Sequence, residues 1–536
     1  MPNIYEFSPQ GGDIVGSDNQ IYNAVDLLGG GTPINENVYD HTQFSPRGGV
    51  IIGSDNRAYD LVDLLRNAGS GSGGSSDRAE YGVYIDGTTA TACTRLGDAA
   101  EMSAAVYTVA DGNDFDKVAP WVNMYLCNLD NTGKEAARYG EPGFAFDGVL
   151  PAYAYKVPVM VHIPAFWYKV VFRGAGREVW ISPTARTGYS IHPAFADENG
   201  VQNVDCVYIG AKLAGTETVD DKTVLTSTSG EWSLFGVGRQ TFRQYARNRG
   251  SGWEQADFDT WSALQMLYLV EFGDLNSQAA LGEGISSKRA SADDVATVAE
   301  TGANRIIVSN TTAGYRYVGE SVFIGTALWS YNAGKRRIIT SIETYDESNM
   351  AIAFDGDPLD IAVGDCIWCA PRPTGDADTI GQLSGHTDQN TVNNRCQVAY
   401  RGVEGFHGNA FTNIDGCNIK DLEWFICHNP AQYADDVFDT ESGYFSIGIA
   451  PSENGWVKGF MVCDNAPYAF IPGEIGGGSA SYTADYYWQS SGNRAPRVGG
   501  YANNSTNGGA WSWNANFAAA YGSWFFGGRL RYKMPI

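Results

Sequence analysis

The sequence lacks long apolar runs and has little positive charge. Its 536 residues include 36 Lys and Arg against 61 Asp and Glu, which gives a formal net charge of −25. No stretch approaches the ~20 apolar residues that span a bilayer, and the first residues, MPNIYEFSPQGG, lack a basic segment followed by an apolar run. We therefore expect synthesis in a cytoplasm without a signal peptide, no membrane insertion and, because the charge repels phosphates, no nucleic-acid partner.

A disulfide framework is also missing. The nine cysteines are odd in number and scattered from Cys93 to Cys463, a pattern unlike that of disulfide-rich secreted domains. The one close pair, Cys366 and Cys369 in GDCIWCAPRP, would need a second pair to complete a tetrahedral zinc site. Its β-branched and aromatic neighbours favour a strand.

The common catalytic motifs are absent. The sequence contains no GxxxxGK[ST], HExxH or GxSxG motif and no strand-flanked GxGxxG, and its six histidines show no metal-ligand spacing. Asp355, Asp357 and Asp360 have the spacing of a cation loop but no following glutamate, so a turn is favoured. We expect no metal, no cofactor and no enzyme activity. A carboxylate pair for glycan hydrolysis stays open, because its separation depends on the fold.

What the chain does have is glycine and aromatic residues. It contains 65 Gly and 14 Trp, and 13 % of its residues are aromatic, which indicates a turn-rich protein of mainly β structure. Its length predicts two to four domains.

The N-terminal region contains a repeat. FSPQGGDIVGSDNQIYNAVDLL, from Phe7, recurs as FSPRGGVIIGSDNRAYDLVDLL, from Phe44. Each copy predicts a turn, a short apolar strand and a capped helical turn. Since neither copy can bury a face alone, we interpret residues 1–68 as a region that docks on a larger assembly, with a self-paired subdomain as the alternative. The expected docking residues are Phe7, Asp18, Asn19, Leu27, Leu28, Phe44, Asp55, Asn56, Leu64 and Leu65.

Four further regions differ from one another in composition and in hydrophobic pattern. Residues 69–80 form a Gly/Ser linker, and residues 81–165 alternate like strands. In DFDTWSALQMLYLVEFG the apolar spacing predicts a helix, with Asp257 or Asp259 as N-cap and Gly273 as its end. Residues 302–373 contain five short strand patterns and predict an inserted β module, which interrupts a domain of residues 166–301 and 374–536.

Two C-terminal stretches carry a resemblance to known families. VAYRGVEGFHGNAFTNIDG resembles a segment of the formylglycine-generating-enzyme and phage-tropism-determinant groups, which share the C-type lectin fold. The match lies at Tyr400, Arg401, Gly402, Glu404, Gly408, Asn409, Asp415 and Gly416, while Phe411 and Asn413 depart from the usual tryptophans. RVGGYANNSTNGGAWSWNANFAAAYGSWFFGGRL, which ends in Gly527, Gly528, Arg529 and Leu530, looks like the variable region of targets of diversity-generating retroelements.

The resemblance implies an α+β, β-rich fold with a C-type-lectin-like domain, and a phage virion protein that binds a host receptor, either protein or glycan. It also implies a homotrimer located in the virion, whose N-terminal repeats contact other virion proteins. The chain lacks the late cysteines of formylglycine-generating enzymes and the EPN, QPN and WND motifs of calcium-dependent lectins. These departures favour a binding scaffold over an enzyme.

The expected receptor-binding residues are aromatic and asparagine positions, which make good contact at low entropic cost. They are Tyr486, Tyr487, Trp488, Asn493, Tyr501, Asn503, Asn504, Trp511, Trp513, Asn516, Phe517, Tyr521, Trp524 and Phe525, with Gly499, Gly500, Gly527, Arg529 and Leu530 as scaffold. The competing interpretation places these rings in a core. Alternatives for the whole protein are a structural capsid or tail decoration or fibre protein, and a glycan depolymerase.

Overall fold

The computed structural model describes residues 79–106, 112–330, 336–387 and 394–534, and within residues 1–78 only the backbone of five short strands. The chain divides into two compact units, Met1–Ser75 and Ser76–Ile536, and each is described by itself.

The first unit contains a β-hairpin in each sequence repeat. Its strands are β1 (Ile4–Phe7), β2 (Asp13–Gly16), β3 (Ile21–Asn23), β4 (Val50–Ile52) and β5 (Ala58–Asp60). In the first repeat Asp13 pairs with Asn23, and at the equivalent positions of the second repeat Val50 pairs with Asp60. The predicted apolar strands are confirmed. Where a helical turn was expected to begin, the chain instead forms the second strand of each hairpin.

The second unit begins with strands that build two sheets. They are β6 (Tyr81–Ile85), β7 (Thr94–Gly97), β8 (Tyr125–Leu129), β9 (Glu135–Arg138), β10 (Val159–Pro164), β11 (Trp167–Arg173), β12 (Gly176–Ser182), β13 (Ser190–Ile191), β14 (Cys206–Gly210), β15 (Gly215–Val219), β16 (Lys222–Thr226) and β17 (Trp253–Gln255). One sheet has the order β13-β11-β12-β6-β7, and β15 and β16 form a separate hairpin.

Four α-helices occur in the described part of the chain. They are α1 (Arg239–Arg247), α2 (Phe258–Phe272), α3 (Ser277–Leu281) and α4 (Asn310–Ala313). The predicted helix is confirmed as α2, which begins at the N-cap Asp257 and ends at Gly273 in the left-handed region. All but one of its residues are buried, including Asp259, Gln265 and Glu271, whose side chains bond to other parts of the chain. Helix α2 forms the centre of the largest hydrophobic core.

The strand patterns near residues 302–373 form one sheet. Its strands and the adjacent pair are β18 (Ala296–Val298), β19 (Glu300–Ala303), β20 (Arg305–Ser309), β21 (Ser321–Gly325), β22 (Arg336–Thr344), β23 (Asn349–Phe354), β24 (Leu359–Ile361) and β25 (Cys366–Cys369). Six of them have the order β18-β20-β23-β22-β21-β25, and β19 pairs with β24. The sheet has its own apolar core around Ile306, Ile352 and Ile367.

The structure confirms the strand that the sequence predicted at the close cysteine pair of the β module. Cys366 and Cys369 lie on the expected strand, and both are buried. Asp355 accepts a hydrogen bond from the Ile338 amide (2.6 Å), and Asp360 accepts one from the Gly302 amide (2.8 Å). Asp355 therefore bonds to an inner strand, β22, and Asp360 of β24 bonds to the neighbouring strand β19.

The C-terminal third consists of short strands. They are β26 (Ala399–Tyr400), β27 (Val403–Glu404), β28 (Phe411–Asn413), β29 (Cys417–Lys420), β30 (Glu423–Ile426), β31 (Phe445–Ile449), β32 (Gly455–Phe460), β33 (Pro472–Ile475), β34 (Tyr486–Gln489), β35 (Asn493–Arg494), β36 (Arg497–Val498), β37 (Trp513–Ala515), β38 (Phe526–Gly527) and β39 (Leu530–Tyr532). A seven-stranded sheet has the order β33-β32-β34-β37-β36-β28-β38, and a four-stranded sheet has the order β31-β30-β29-β35.

The last strand belongs to a sheet that starts much earlier in the chain. The sheet order is β17-β39-β14-β10-β8-β9, so β39 pairs with β14 on one side and with β17 on the other. This sheet joins segments on both sides of the expected boundary at residue 165.

The expected α+β, C-type-lectin-like architecture is wrong. Helices make up only 12 % of the structure, and in the described residues only α1 and α2 exceed five residues. The motif that suggested the lectin fold is a set of turns and buried polar contacts: Arg401 pairs with Glu271 (2.7 Å), and Asp415 pairs with Arg243 (2.6 Å). Such short glycine-containing turns occur in any turn-rich β protein, and they do not specify how its sheets are connected.

No helix among the described residues has the length and apolar character needed to cross a membrane.

Candidate binding surface

The seven-stranded sheet presents aromatic side chains on one face. On β34, Tyr487 is fully buried while its neighbours Tyr486 and Trp488 are half-buried, because successive side chains of a strand point to opposite faces. Tyr486 lies opposite Trp456 of β32, with ring centroids 5.5 Å apart. Tyr486 also contacts Trp488, at 4.8 Å. Three half-buried rings therefore form a row across two strands.

A second group of rings continues this row. Trp488 contacts the buried Phe411 edge-on at 5.7 Å, and Phe411 contacts Tyr501 at 5.8 Å. Tyr501 stacks on Phe525 at 4.6 Å. Phe411 thus links the rings of β34 to those of the C-terminal loops.

The segment between β37 and β38 supplies the end of the row. Phe517 stacks on Tyr521 at 4.6 Å and contacts Phe525 at 6.5 Å. Tyr521 is the most exposed of these rings, at 47 %. We call the partly exposed rings of Trp456, Tyr486, Trp488, Tyr501, Phe517, Tyr521 and Phe525, together with that of Trp329 described below, the aromatic surface.

A buried arginine holds the loop that carries the outer rings. Arg497 of β36 donates hydrogen bonds to the carbonyl oxygens of Phe517 (3.4 Å), Ala518 (3.1 Å) and Tyr521 (3.2 Å). Its guanidinium lies 4.1 Å from the centroid of the Phe526 ring. Burial, together with nearby Arg239, lowers the pKa of Arg497 to about 9, so the side chain is charged at neutral pH. One cation therefore fixes most of this loop.

The β module contributes one ring to the same surface. Trp329, which follows β21, is 43 % exposed and has a positive φ of 67°. It stacks on the buried Trp524 at 5.3 Å, and Trp524 contacts Tyr501 at 5.5 Å. This contact extends the aromatic surface beyond the C-terminal segment.

The surface is rich in amides and poor in charge. From Val498 to Gly528 the sequence contains no Asp, Glu, Lys, Arg or His. Asn493 is exposed, and Asn503 and Asn516 are half-buried. Stacking faces and amide hydrogen bonds are therefore the main contacts that this segment offers to a partner.

The structure divides the expected receptor-binding residues into two groups. Tyr486, Trp488, Tyr501, Phe517, Tyr521, Phe525 and the three asparagines just named lie at least partly at the surface. Tyr487, Asn504, Trp511, Trp513 and Trp524 are buried, so they cannot touch a partner without local unfolding. For these five positions the assignment to a contact surface is corrected, because their side chains fill the interior on the far side of the strands or beneath the loops.

The expected scaffold residues do lie in the framework beneath this surface. Gly499 and Gly500 have positive φ angles of 98° and 80°, and added side chains there would be strained. Arg529 is fully buried and donates to the carbonyl oxygens of Gly210 (3.2 Å) and Gly405 (2.9 Å). Gly527 and Leu530 are also buried.

Sequence reasoning missed two rings. Trp456 lies in an alternating stretch of β32, and this pattern could have marked it as a surface ring opposite β34. Trp329 follows a strand and a Gly-Thr turn, and nothing in the sequence places it beside Trp524. The expected docking residues from Asp18 to Leu65 lie outside the described residues, and of Phe7 only the backbone in β1 is described.

In the described residues, His, Cys, Asp and Glu form no group of three or more suited to bind a metal ion. Searches for similar proteins found no family model that matches the chain and no curated protein that is similar to it.

Proposed function

We propose that the protein is a receptor-binding protein of a phage particle, which contacts the host cell through the aromatic surface. The observation that carries the proposal is the aromatic surface, a group of partly exposed rings on the seven-stranded sheet and its loops that the buried Phe411 and Trp524 link together. Half-buried aromatic residues are preferred binding anchors, because they offer a large contact area and lose little side-chain entropy on binding.

The N-terminal unit supplies the attachment in this proposal. The two repeats have equivalent hairpins with the same register, which suits two equivalent sites on one particle. The sequence after them is rich in Gly and Ser, a composition typical of linkers that give a bound domain reach. We further propose a homotrimer, since weak sites gain avidity by repetition; light scattering that gives the mass of one chain would contradict this.

The test compares two tyrosines of similar exposure. Tyr521 belongs to the aromatic surface, while Tyr345, at 43 % exposure, lies beside β22 in the β module. We expect Tyr521→Ala to weaken binding of the labelled full chain to host cells by about tenfold or more, whereas Tyr345→Ala binds like the wild type. Thermal melting of both variants should match that of the wild type.

Equal binding by the two variants would contradict the proposal. If Tyr521→Ala left cell binding intact but dissociated an oligomer or prevented incorporation into particles, the rings would be packing between subunits, which supports the structural alternative.

A further inference from the structure

A polar cleft of about 350 Å³ lies at the end of β39. Its walls come from the loop that contains Asp197 and Asn203, from β17, from the segment that follows β30, and from Arg531 and Lys533. No ring of the aromatic surface lines it. Its volume falls in the range of small-molecule sites.

The inner wall contains a buried cation that forms no ion pair at contact distance with the described residues, although Asp197, Asp257 and Asp259 act on its charge from farther away. Lys533 is 8 % exposed, and within the described residues its Nζ donates one hydrogen bond, to the Ala196 carbonyl oxygen at 2.6 Å, and has no carboxylate partner. Burial and the neighbouring Arg531 lower the pKa of Lys533 to about 8, while Asp257, Asp259 and Asp197 oppose this shift, so the amine is still mainly charged at pH 7. A buried ammonium group with spare donors is stabilised by an anion.

Arg531 and His428 face the cleft beside Lys533. Arg531 forms an ion pair with Asp257 (3.2 Å) and donates from Nε to Thr260 (3.1 Å). His428 bonds Asp259 through Nδ1 at 2.8 Å. Burial opposes protonation of His428, but the Asp259 carboxylate outweighs it and raises the pKa of the imidazole.

The carboxylates of the cleft already accept hydrogen bonds from other groups of the protein. Both oxygens of Glu254 accept from Arg247 Nε, at 3.0 and 2.8 Å. Glu198 accepts from the Asn429 side chain at 3.0 Å, and Asp197 accepts from the amides of Asn199 and Val201, both at 2.9 Å. None of them forms a hydrogen bond with Lys533, although the charge of Asp197 still acts on it from beyond contact distance.

The cleft also contains an acceptor without a donor. The side-chain oxygen of Asn203 is buried and has no hydrogen-bond partner. A buried oxygen of this kind is satisfied by a ligand hydroxyl or amide N–H. A ligand that fits the cleft therefore has an anionic group at one end, near Lys533, and a hydrogen-bond donor near Asn203.

We propose that this cleft binds an acidic sugar, a monosaccharide unit of the uronic-acid class. Its carboxylate lies against Lys533 and Arg531, and its hydroxyl groups bond to Asn203 and to the amide and carboxylate groups of the rim. This binding does not depend on the function proposed for the aromatic surface.

Calorimetric titration of the full chain with glucuronate, glucose, acetate and inorganic phosphate tests the proposal. Glucuronate is expected to bind more tightly than acetate, which lacks hydroxyl groups, and than glucose, which lacks the carboxylate. Lys533→Met should weaken glucuronate binding by roughly thirtyfold, as loss of one partner in a buried charge pair does. The matched control Lys222→Met, at an exposed lysine of β16, should bind glucuronate like the wild type.

A second variant keeps the test valid if Lys533→Met does not fold. Asn203→Ala should weaken glucuronate binding and leave acetate binding unchanged. The proposal is overturned if glucuronate binds no better than glucose, if neither variant changes its affinity, or if phosphate binds more tightly than glucuronate, which would identify the cleft as a phosphate site.

Discussion

Asp485, the residue before β34, is a carboxyl group enclosed by the core beneath the aromatic surface. It is 1 % exposed, and one oxygen accepts a hydrogen bond from the Trp511 amide at 2.7 Å. Burial raises its pKa well above the ordinary value, and the Trp511 bond offsets this only in part. The folded chain therefore holds a proton at Asp485 that the unfolded chain releases above about pH 4.

We expect Asp485→Asn to stabilise the protein at neutral pH. Because the pKa of Asp485 is raised in the folded state, wild-type stability should fall as the pH rises above about 4, by up to about 1.4 kcal/mol per pH unit from this group. Asparagine keeps the acceptor and does not ionise. Thermal melting from pH 4 to 8 should show a benefit that is absent at pH 4 and grows with pH.

The control for this comparison is Asp293→Asn, at an exposed position, which should show no such trend. A melting difference at Asp485 that is constant across the pH range would contradict the argument.

The sequence predicted which residue types form the surface but not which side each one faces. Tyr486, Tyr487 and Trp488 are consecutive, and strand alternation separates the middle ring from its neighbours. Trp511 and Trp513 are two residues apart and both face the interior. Which face of a strand is covered depends on long-range pairing, such as that of β34 with β37, and local sequence does not contain that information.

Elements with strong local signals were predicted well. The helix α2 has an N-cap, an apolar pattern and a glycine end within one short segment, and β20, β21, β22, β23 and β25 each match an apolar run. By contrast, β36 and β38 are two residues long, and each pairs with β28, far earlier in the chain. Such strands exist only because distant segments pair with them, so propensity and periodicity do not reveal them.

The loop between β37 and β38 depends on Arg497. Arg497→Lys keeps the charge but loses the planar fork that reaches several carbonyl oxygens at once. We expect faster hydrogen exchange at residues 517–521 and a loss of cell binding, while exchange in α2 stays unchanged. Hydrogen-exchange mass spectrometry measures both regions in one experiment.

The matched control is Arg494→Lys. Arg494 is half-buried and donates one hydrogen bond, to the Asn493 carbonyl oxygen at 3.0 Å. The Arg494→Lys variant should leave the loop between β37 and β38 unchanged. Equal protection of residues 517–521 in both variants would show that Arg497 does not organise this loop.

At the scale of the whole molecule, the division after Ser75 separates the repeats from all the residues of the aromatic surface and the cleft. Domain boundaries in Gly/Ser-rich segments leave few contacts to lose. The change in composition at residues 69–80 is the reason for which the sequence predicts a linker there. The sequence did not predict the sheet that joins β8 to β39, because its partners are hundreds of residues apart.

Deletion of residues 1–74 should therefore give a folded chain with unchanged thermal melting and unchanged cell binding, which is no longer incorporated into particles. Thermal melting measures whether the truncated chain folds, a binding assay measures its affinity for cells, and analysis of purified particles measures its incorporation. The full-length chain is the control for incorporation, and incorporation of the truncated chain at the full-length level would contradict the docking role of the repeats.

The position of β39 has a consequence for the order of events during synthesis. Strands β14 and β17 leave the ribosome early, yet until Leu530–Tyr532 has been made β14 has a neighbour only on the β10 side and β17 lacks its partner in this sheet. Until then both expose unpaired backbone edges, which favour association with other chains. Pairing across such a long sequence separation is also slow. Translation that stops shortly before residue 530 should thus yield an incompletely folded chain that is prone to aggregate. Only chains translated past β39 can form the complete cleft.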